Sequence, residues 1–111
     1  MNQVTVFCEI IRTWAYDSDI KARVRMRRPS FLPPKEEGPF DFATLVFPGA
    51  RGMGLRLEPG QKIWATGVLT SRDQDQPIEE VIGGEIPEGL RGKKIRFNFN
   101  EVVVTHWQAI D

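Results

Sequence analysis

The sequence contains few of the residues that enzymes and metal sites need. Its 111 residues include a single cysteine, Cys8, and a single histidine, His106. One cysteine cannot form an internal disulfide, which fits a reducing compartment. A lone histidine far along the chain from that cysteine offers neither a metal ligand set nor a nucleophile and base. The acidic residues cluster at 35–37 and 73–88, in stretches that read as exposed loops without a rigid cleft. We therefore predict a protein that is not an enzyme and has no catalytic residues, metal site or cofactor.

Long apolar runs and net charge are also missing. No stretch approaches the ~20 apolar residues of a membrane span, and the N-terminus lacks the basic and then apolar segments of a secretory signal. We expect a cytoplasmic protein without a membrane partner. Lys plus Arg and Asp plus Glu both number 15, so the formal net charge is zero. Any nucleic-acid site must then come from local segregation of charge.

Short apolar segments between turn residues make up most of the chain. Its length predicts a single domain over residues 1–111, and a hydrophobic fraction of 41% is enough for one core. Segments rich in β-branched and aromatic residues predict five strands, at residues 4–14, 20–28, 40–47, 62–71 and 94–107. Gly67 inside the fourth predicts a bulge or a bend. Long connections follow strand two (29–39, rich in proline) and strand four (73–92, acidic). This pattern predicts an all-β fold, a small barrel.

The second predicted strand carries a row of cations. A period of two places its four basic residues on one face and its small apolar residues on the other. Such a row can follow the phosphates of a nucleic acid. The competing interpretation is a solvated face paired with acidic residues of the neighbouring strand. The row consists of Lys21, Arg23, Arg25 and Arg27.

Two segments carry a family resemblance. FATLVFPG, residues 42–49, and LEPGQKIWATGVLTSR, residues 57–72, are similar to the third and fourth strands of the bacterial single-stranded DNA-binding proteins. The second match is the more specific, and a valine-rich last strand at 101–104 completes the pattern. The resemblance spans nearly the whole chain. It implies a five-stranded OB-fold barrel that binds a single strand across its face, and it suggests a homo-oligomer, dimeric or tetrameric.

Three features depart from that family. The PGARGMG segment at 48–54 is a poor helix former where the family has a helix. The sequence ends at Asp111, so we expect it to lack the family's flexible tail, whose acidic end recruits other proteins. The 73–88 insertion is larger than a hairpin needs. We therefore consider a specialised relative, similar to the tail-less primosomal replication proteins, which are dimeric OB domains.

The aromatic residues provide candidates for stacking on bases. Phe42 lies where the resemblance places a stacking aromatic, and Phe40 shares its face. Trp64 lies on the outward side of the fourth strand by parity, and Trp14 lies beside the first loop. Core packing is the alternative for each ring. Two further cations extend the predicted phosphate contacts, Arg72 and Arg96.

These features predict binding of single-stranded DNA with little sequence specificity, in replication, repair or recombination. Cations neutralise the backbone and rings stack on bases, without a visible base-specific code. RNA is also a possible ligand, because stacking does not distinguish the two sugars. The alternative is an OB-fold protein-interaction module that does not contact nucleic acid, favoured by the acidic 73–92 segment, which would repel phosphates.

Overall fold

Five β-strands and two short helical elements make up the fold. The computed structural model describes residues 2–81 and 84–110. An α-helix spans Ile78–Val81 and a 3-10 turn spans Glu88–Leu90, and neither of these described elements has the length or apolar character to cross a membrane. The strands, which confirm the predicted number, are β1 at Val4–Tyr16, β2 at Asp19–Arg27, β3 at Phe40–Phe47, β4 at Lys62–Pro77 and β5 at Lys94–Ala109.

The strands close into a barrel in the order β1-β2-β3-β5-β4. β1 pairs in antiparallel fashion with β2 and with β4, and β2 pairs likewise with β3. β3 and β5 pair in parallel, with Thr44 opposite Glu101. Closure gives the strands partners on both sides around the barrel, whereas the pairing of β4 with β1 ends at Gly67 and that of β5 with β3 begins at Glu101. The predicted all-β, five-stranded barrel is therefore confirmed.

Alternate residues of the strands fill the barrel. Ile10 of β1, Val24 of β2, Leu45 of β3 and Ile63 of β4 are each at most 1% exposed. Burying side chains of this size contributes about 1.5–3 kcal/mol each. Because side chains alternate along a strand, the neighbours of these residues lie on the outer surface. Arg23 and Arg25 of β2 are among those neighbours.

β1 changes the face that it presents to the interior partway along its length. The pairing of β1 with β2 shifts register between Ile10 and Arg12. Beyond the shift, Thr13 pairs with the fully buried Ala22. Strict alternation from Ile10 would place Trp14 inside the barrel. The irregularity instead turns Trp14 to the outer surface, as a β-bulge does.

Gly67 lies where the backbones of β4 and β5 approach closely. A Cβ atom at this position would overlap the carbonyl oxygen of Val103 and crowd the Cα atom of Val104. Glycine inside a strand commonly marks such an approach. The close packing of two strands therefore accounts for a residue that the sequence singled out as a bulge or a bend.

The acidic connection differs from the prediction. β4 continues to Pro77, six residues beyond the predicted end at Ser71, so part of the 73–92 segment is strand and part forms the two helical elements. The polar composition of this stretch masks its strand character, because sequence periodicity detects a strand through its apolar face. Ile82 and Gly83 of the connection lie outside the described residues.

The chain divides into two compact units. One contains residues 1–70 and 101–111, and the other contains residues 71–100. β1, β2 and β3 belong entirely to the first unit, whereas β4 and β5 contribute to both. We describe the surface of each unit by itself below.

Candidate nucleic-acid interface

Lys21 does not present its charge to solvent, although it belongs to the cation row of β2. The residue is 6% exposed, and its Nζ lies 2.7 Å from Oε2 of Glu101 in β5. The Nζ also lies 4.3 Å from the ring centroid of Tyr16. A buried ammonium that is neutralised by a carboxylate is a poor partner for a phosphate. We therefore leave Lys21 out of the interface proposed below.

Arg25 is partly neutralised. Its Nη2 and Nε atoms lie 2.8 and 2.9 Å from the same carboxylate oxygen of Glu9, the residue opposite it in β1. Both side chains keep part of their surface in solvent, at 41% for Arg25 and 28% for Glu9. Exposed pairs of this kind contribute little to stability and compete weakly with other ligands. Arg27 at the end of β2 is exposed and has no ion pair within the described part of the chain.

Arg12 and Arg23 face each other across β1 and β2. They are direct cross-strand partners. Neither has a carboxylate partner among residues 2–81 and 84–110; Arg23 has only a long hydrogen bond, 3.4 Å from Nη1 to Oγ1 of Thr44. Like charges directly opposite each other on a sheet destabilise it. Two arginines in this register therefore place positive charge, without a carboxylate partner in the described part of the chain, on neighbouring strands of one surface.

Aromatic rings lie beside the arginines. Phe42 of β3 is 47% exposed, and the guanidinium carbon of Arg23 lies 5.6 Å from its ring centroid. Phe40 is half-buried and has Arg25 at 4.5 Å. Trp14 of β1, also half-buried, has Arg12 at 4.7 Å. Each ring is thus close enough to a cation for a cation–π contact.

These side chains form one continuous surface, because β1, β2 and β3 are hydrogen-bonded neighbours. In the register of the sheet, Phe42 and Phe40 of β3 lie opposite Arg25 and Arg27, whereas Trp14 of β1 lies opposite Lys21. Cations that alternate with partly exposed rings are what sequence-tolerant binding of a single strand requires. We call this surface the basic–aromatic face; it consists of Arg12, Trp14, Tyr16, Arg23, Arg25, Arg27, Phe40 and Phe42.

Trp64 lies on a different part of the barrel. It is half-buried in β4, directly opposite Phe7 of β1. Because β1 lies between β4 and β2, Trp64 is not adjacent to the cation row. Phe7 is 68% exposed, and this outer stretch of β1 and β4 therefore has an aromatic surface of its own.

The other predicted cations belong to the unit of residues 71–100. There the guanidinium carbon of Arg72 lies 5.0 Å from the ring centroid of Phe99, and Nε of Arg96 lies 3.1 Å from Oδ1 of Asp75. The rings of Phe97 and Phe99 are neighbours with centroids 6.2 Å apart. A contact of Arg72 or Arg96 with nucleic acid stays a prediction.

Three residues of these surfaces were not among the candidates from the sequence. Arg12 and Tyr16 reach the basic–aromatic face only because β1 shifts register, and alternation alone gives no sign of that shift. Phe7 lies in a run of β-branched and aromatic residues, VTVFCEII, that reads as core strand. Phe7 is one residue from Cys8 and three from Ile10, so alternation along the strand places its side chain on the face opposite to theirs. This spacing was the available sign that Phe7 points outwards.

An ionic contact anchors the proline-rich loop beside this face. Arg28 Nη1 and Lys35 Nζ lie 2.8 and 3.3 Å from Oδ1 of Asp41. Partial desolvation raises the pKa of Asp41, but the hydrogen bonds and charges of Lys35 and Arg28 outweigh it, so the pKa of this carboxyl is held below its usual value. The loop is thus tied to β3 at neutral pH.

Groups suited to metal binding are not assembled in the described ranges, 2–81 and 84–110: no three His, Cys, Asp or Glu side chains there are placed to hold an ion. Cys8 is buried in the barrel, and burial raises the pKa of its thiol to about 11. The thiolate is the reactive form of cysteine. Cys8 therefore acts as a small core residue at neutral pH.

Comparison with known proteins gives similarity at the level of structure. No protein-family model and no curated protein matches the sequence. Among solved structures, the chain is similar to an SSB from Plasmodium falciparum in complex with ssDNA, with a TM-score of 0.65 and 8% identity over 100% of this chain and 96% of that one. It is also similar to the dimeric N-terminal domain of PriB from Thermoanaerobacter tencongensis, with a TM-score of 0.51 and 11% identity over 99% and 97% of the two chains. The chain therefore has the OB fold that SSB and PriB share.

Proposed function

We propose that this protein binds single-stranded DNA with little sequence specificity, through the basic–aromatic face, in replication, repair or recombination. The observation that carries the proposal is the pair Arg12 and Arg23, which lie opposite each other without a carboxylate partner in the described residues. A surface that only had to be solvated would gain stability from opposite charges there. A phosphate between the two guanidinium groups would remove their repulsion.

The rings supply the second half of the mechanism. Phe42, Phe40 and Trp14 hold partly exposed aromatic surface beside the cations. Stacking contributes about 1–3 kcal/mol per base and tolerates any base, because every base has a π-face. One structural neighbour is an SSB in complex with ssDNA, which supports the same ligand class. We propose a binding role and no catalytic one.

Assembly and location belong to the same proposal. We propose a homo-oligomer, because a single OB face holds few nucleotides and because one structural neighbour is a dimer. The free cysteine Cys8 fits the reducing cytoplasm in which we propose that the protein works. Sedimentation of the protein with and without oligonucleotide measures the mass of the assembly. A monomer under both conditions would contradict this part of the proposal and leave the ligand class untouched.

Titration of the protein with oligothymidine at two salt concentrations tests the ligand class. Trp14 lies on the face, so binding should quench tryptophan fluorescence, and the affinity should fall as salt rises. Phe42→Ala should weaken binding about 5- to 150-fold, the loss of one stacked base. Met53→Ala, which removes an apolar side chain that is 78% exposed elsewhere in the first unit, is the matched control. Equal affinities for wild type and Phe42→Ala, both folded by circular dichroism, would refute the stacking role of the face.

A further inference from the structure

A hollow of about 390 Å³ opens on the outer side of β1, between the basic–aromatic face and β4. Its volume falls within the roughly 300–1,000 Å³ of small-ligand sites. It combines two rings, three cations and one carboxylate. Most of its walls are the side chains of Phe7, Glu9, Arg25, Arg27, Phe40 and Lys62.

Within the described residues, one of the three cations that line the hollow is paired with a carboxylate and the other two are not. Glu9 neutralises Arg25 through both Nε and Nη2. Arg27 and Lys62 have no ion pair within residues 2–81 and 84–110, and both are exposed. Arg27 of β2 and Lys62 of β4 border the hollow from the two strands on either side of β1, and Lys62 lies directly opposite Glu9. These two cations are therefore the groups of the hollow that can neutralise a phosphate.

Phe7 gives the hollow a stacking surface. Its ring is 68% exposed on a strand whose other side packs into the core. An isolated exposed phenylalanine needs no explanation, but Phe7 borders unpaired cations and lies in a cavity that also includes Phe40. A ring beside cations recognises a planar base attached to a phosphate.

We propose that this hollow is a subsite for one nucleotide at the end of the bound strand. The base stacks on Phe7, and Arg27 and Lys62 neutralise its phosphate. The inference rests on the proposed function, because Arg25, Arg27 and Phe40 belong both to the basic–aromatic face and to the hollow. A DNA strand bound on the face can thus continue across β1 into the hollow and contact basic and aromatic side chains along the whole path.

The affinity for oligothymidines of increasing length, from about 4 to about 16 nucleotides, tests the proposal. Phe7→Ala should leave the affinity for the shortest binding strands unchanged and weaken binding about 5- to 150-fold only for strands long enough to reach the hollow. Phe7→Leu, which keeps apolar bulk without a ring, should behave like Phe7→Ala. Lys62→Gln should lower the salt dependence for long strands only. Met53→Ala should match wild type at every length.

The possible results separate the subsite from the function on which it rests. If wild-type protein binds no length, the proposed function fails. If wild type binds but Phe7→Ala matches it at every length, the hollow is not a subsite. An equal loss at all lengths would place Phe7 on the main path of the strand instead. A change in the sedimenting mass of Phe7→Ala, with unaltered length dependence, would make the hollow an interface between copies and overturn the proposal.

Discussion

Lys21 and Arg25 lie four residues apart on one face of β2 and have different surroundings. The Nζ of Lys21 is buried against Glu101, whereas the guanidinium of Arg25 shares its charge with Glu9 at the surface. The difference comes from the neighbours that the barrel supplies, since β5 places Glu101 beside Thr44 of β3. Residues with the same sequence pattern thus divide into a buried ion pair and a partly exposed one at the surface.

Lys21→Met should be strongly destabilising. The substitution keeps the length of the side chain but removes the ammonium that pairs with the buried carboxylate of Glu101. Breaking a buried pair in this way costs about 3–5 kcal/mol in the free energy of unfolding, which urea denaturation measures. The double variant Lys21→Met/Glu101→Leu should recover most of the loss, because two apolar side chains replace the pair. A loss below about 1 kcal/mol in the single variant would mean that water reaches the pair.

The thiol of Cys8 should make the fold sensitive to alkaline pH. Its pKa is raised to about 11 in the folded chain, from 9.0 in the absence of burial. Below pH 9 the thiol is neutral in both the folded and the unfolded state, so it does not make the free energy of unfolding depend on pH. Between pH 9 and 11 the unfolded state ionises first, so stability is lost as pH rises, by about 2–3 kcal/mol for a shift of this size.

Unfolding of wild type and Cys8→Ala across pH 8 to 11 isolates this contribution. The alanine variant should be less stable at pH 8, since it leaves a cavity, and should lose less stability on going to pH 11. Thiol reagents should modify native Cys8 slowly at pH 8 and the urea-unfolded chain quickly. Parallel pH profiles of the two proteins would show that Cys8 does not ionise in this range.

At the scale of elements, the sequence allows prediction of the strands better than of their faces. β3 has its predicted bounds, Phe40–Phe47, because turn-forming residues flank it on both sides. β1 shows where prediction of the faces fails. Nothing in the residue types marks the extra residue between Ile10 and Arg12, yet because of it the side chain of Trp14 faces outwards. The extension of β4 to Pro77 was not predicted for a related reason: residues 72–76 are polar on both faces of the strand, so they show no apolar alternation.

Gly67→Ala should test the close approach of β4 and β5. The new Cβ would overlap backbone atoms of Val103 and Val104, and backbone cannot rotate away as a flexible side chain can. We expect a loss above about 3 kcal/mol in the free energy of unfolding, in the range of severe core strain, measured by urea denaturation. Gly52→Ala is the matched control, because its Cβ would meet only the carbonyl oxygen of Gly49, at an ordinary 3.9 Å. Equal stabilities of the two variants would refute the packing argument.

At the scale of the whole molecule, a net charge of zero conceals segregated charge. Arg12, Arg23 and Arg27 lie on one surface without carboxylate partners in the described ranges, whereas acidic residues are concentrated in the 73–88 stretch. The sequence predicted the cations of β2 but not Arg12, and it could not tell which cations would be neutralised by residues distant along the chain. Such pairing is decided by the closure of the barrel.

Salt should therefore stabilise the free protein and weaken its complex. Screening reduces the repulsion between Arg12 and Arg23, so the free energy of unfolding should rise as salt increases from low to moderate concentration. Arg12→Gln should flatten that rise, which urea denaturation at each salt concentration measures. In oligothymidine titrations the same variant should lower the slope of log affinity against log salt by about 0.7, the contribution of one phosphate contact on a single strand. Arg56→Gln, which removes an exposed arginine before β4, should change neither slope. If Arg12→Gln alters stability but leaves the binding slope intact, then the two arginines repel each other without serving a phosphate, and the interface lies elsewhere on the barrel.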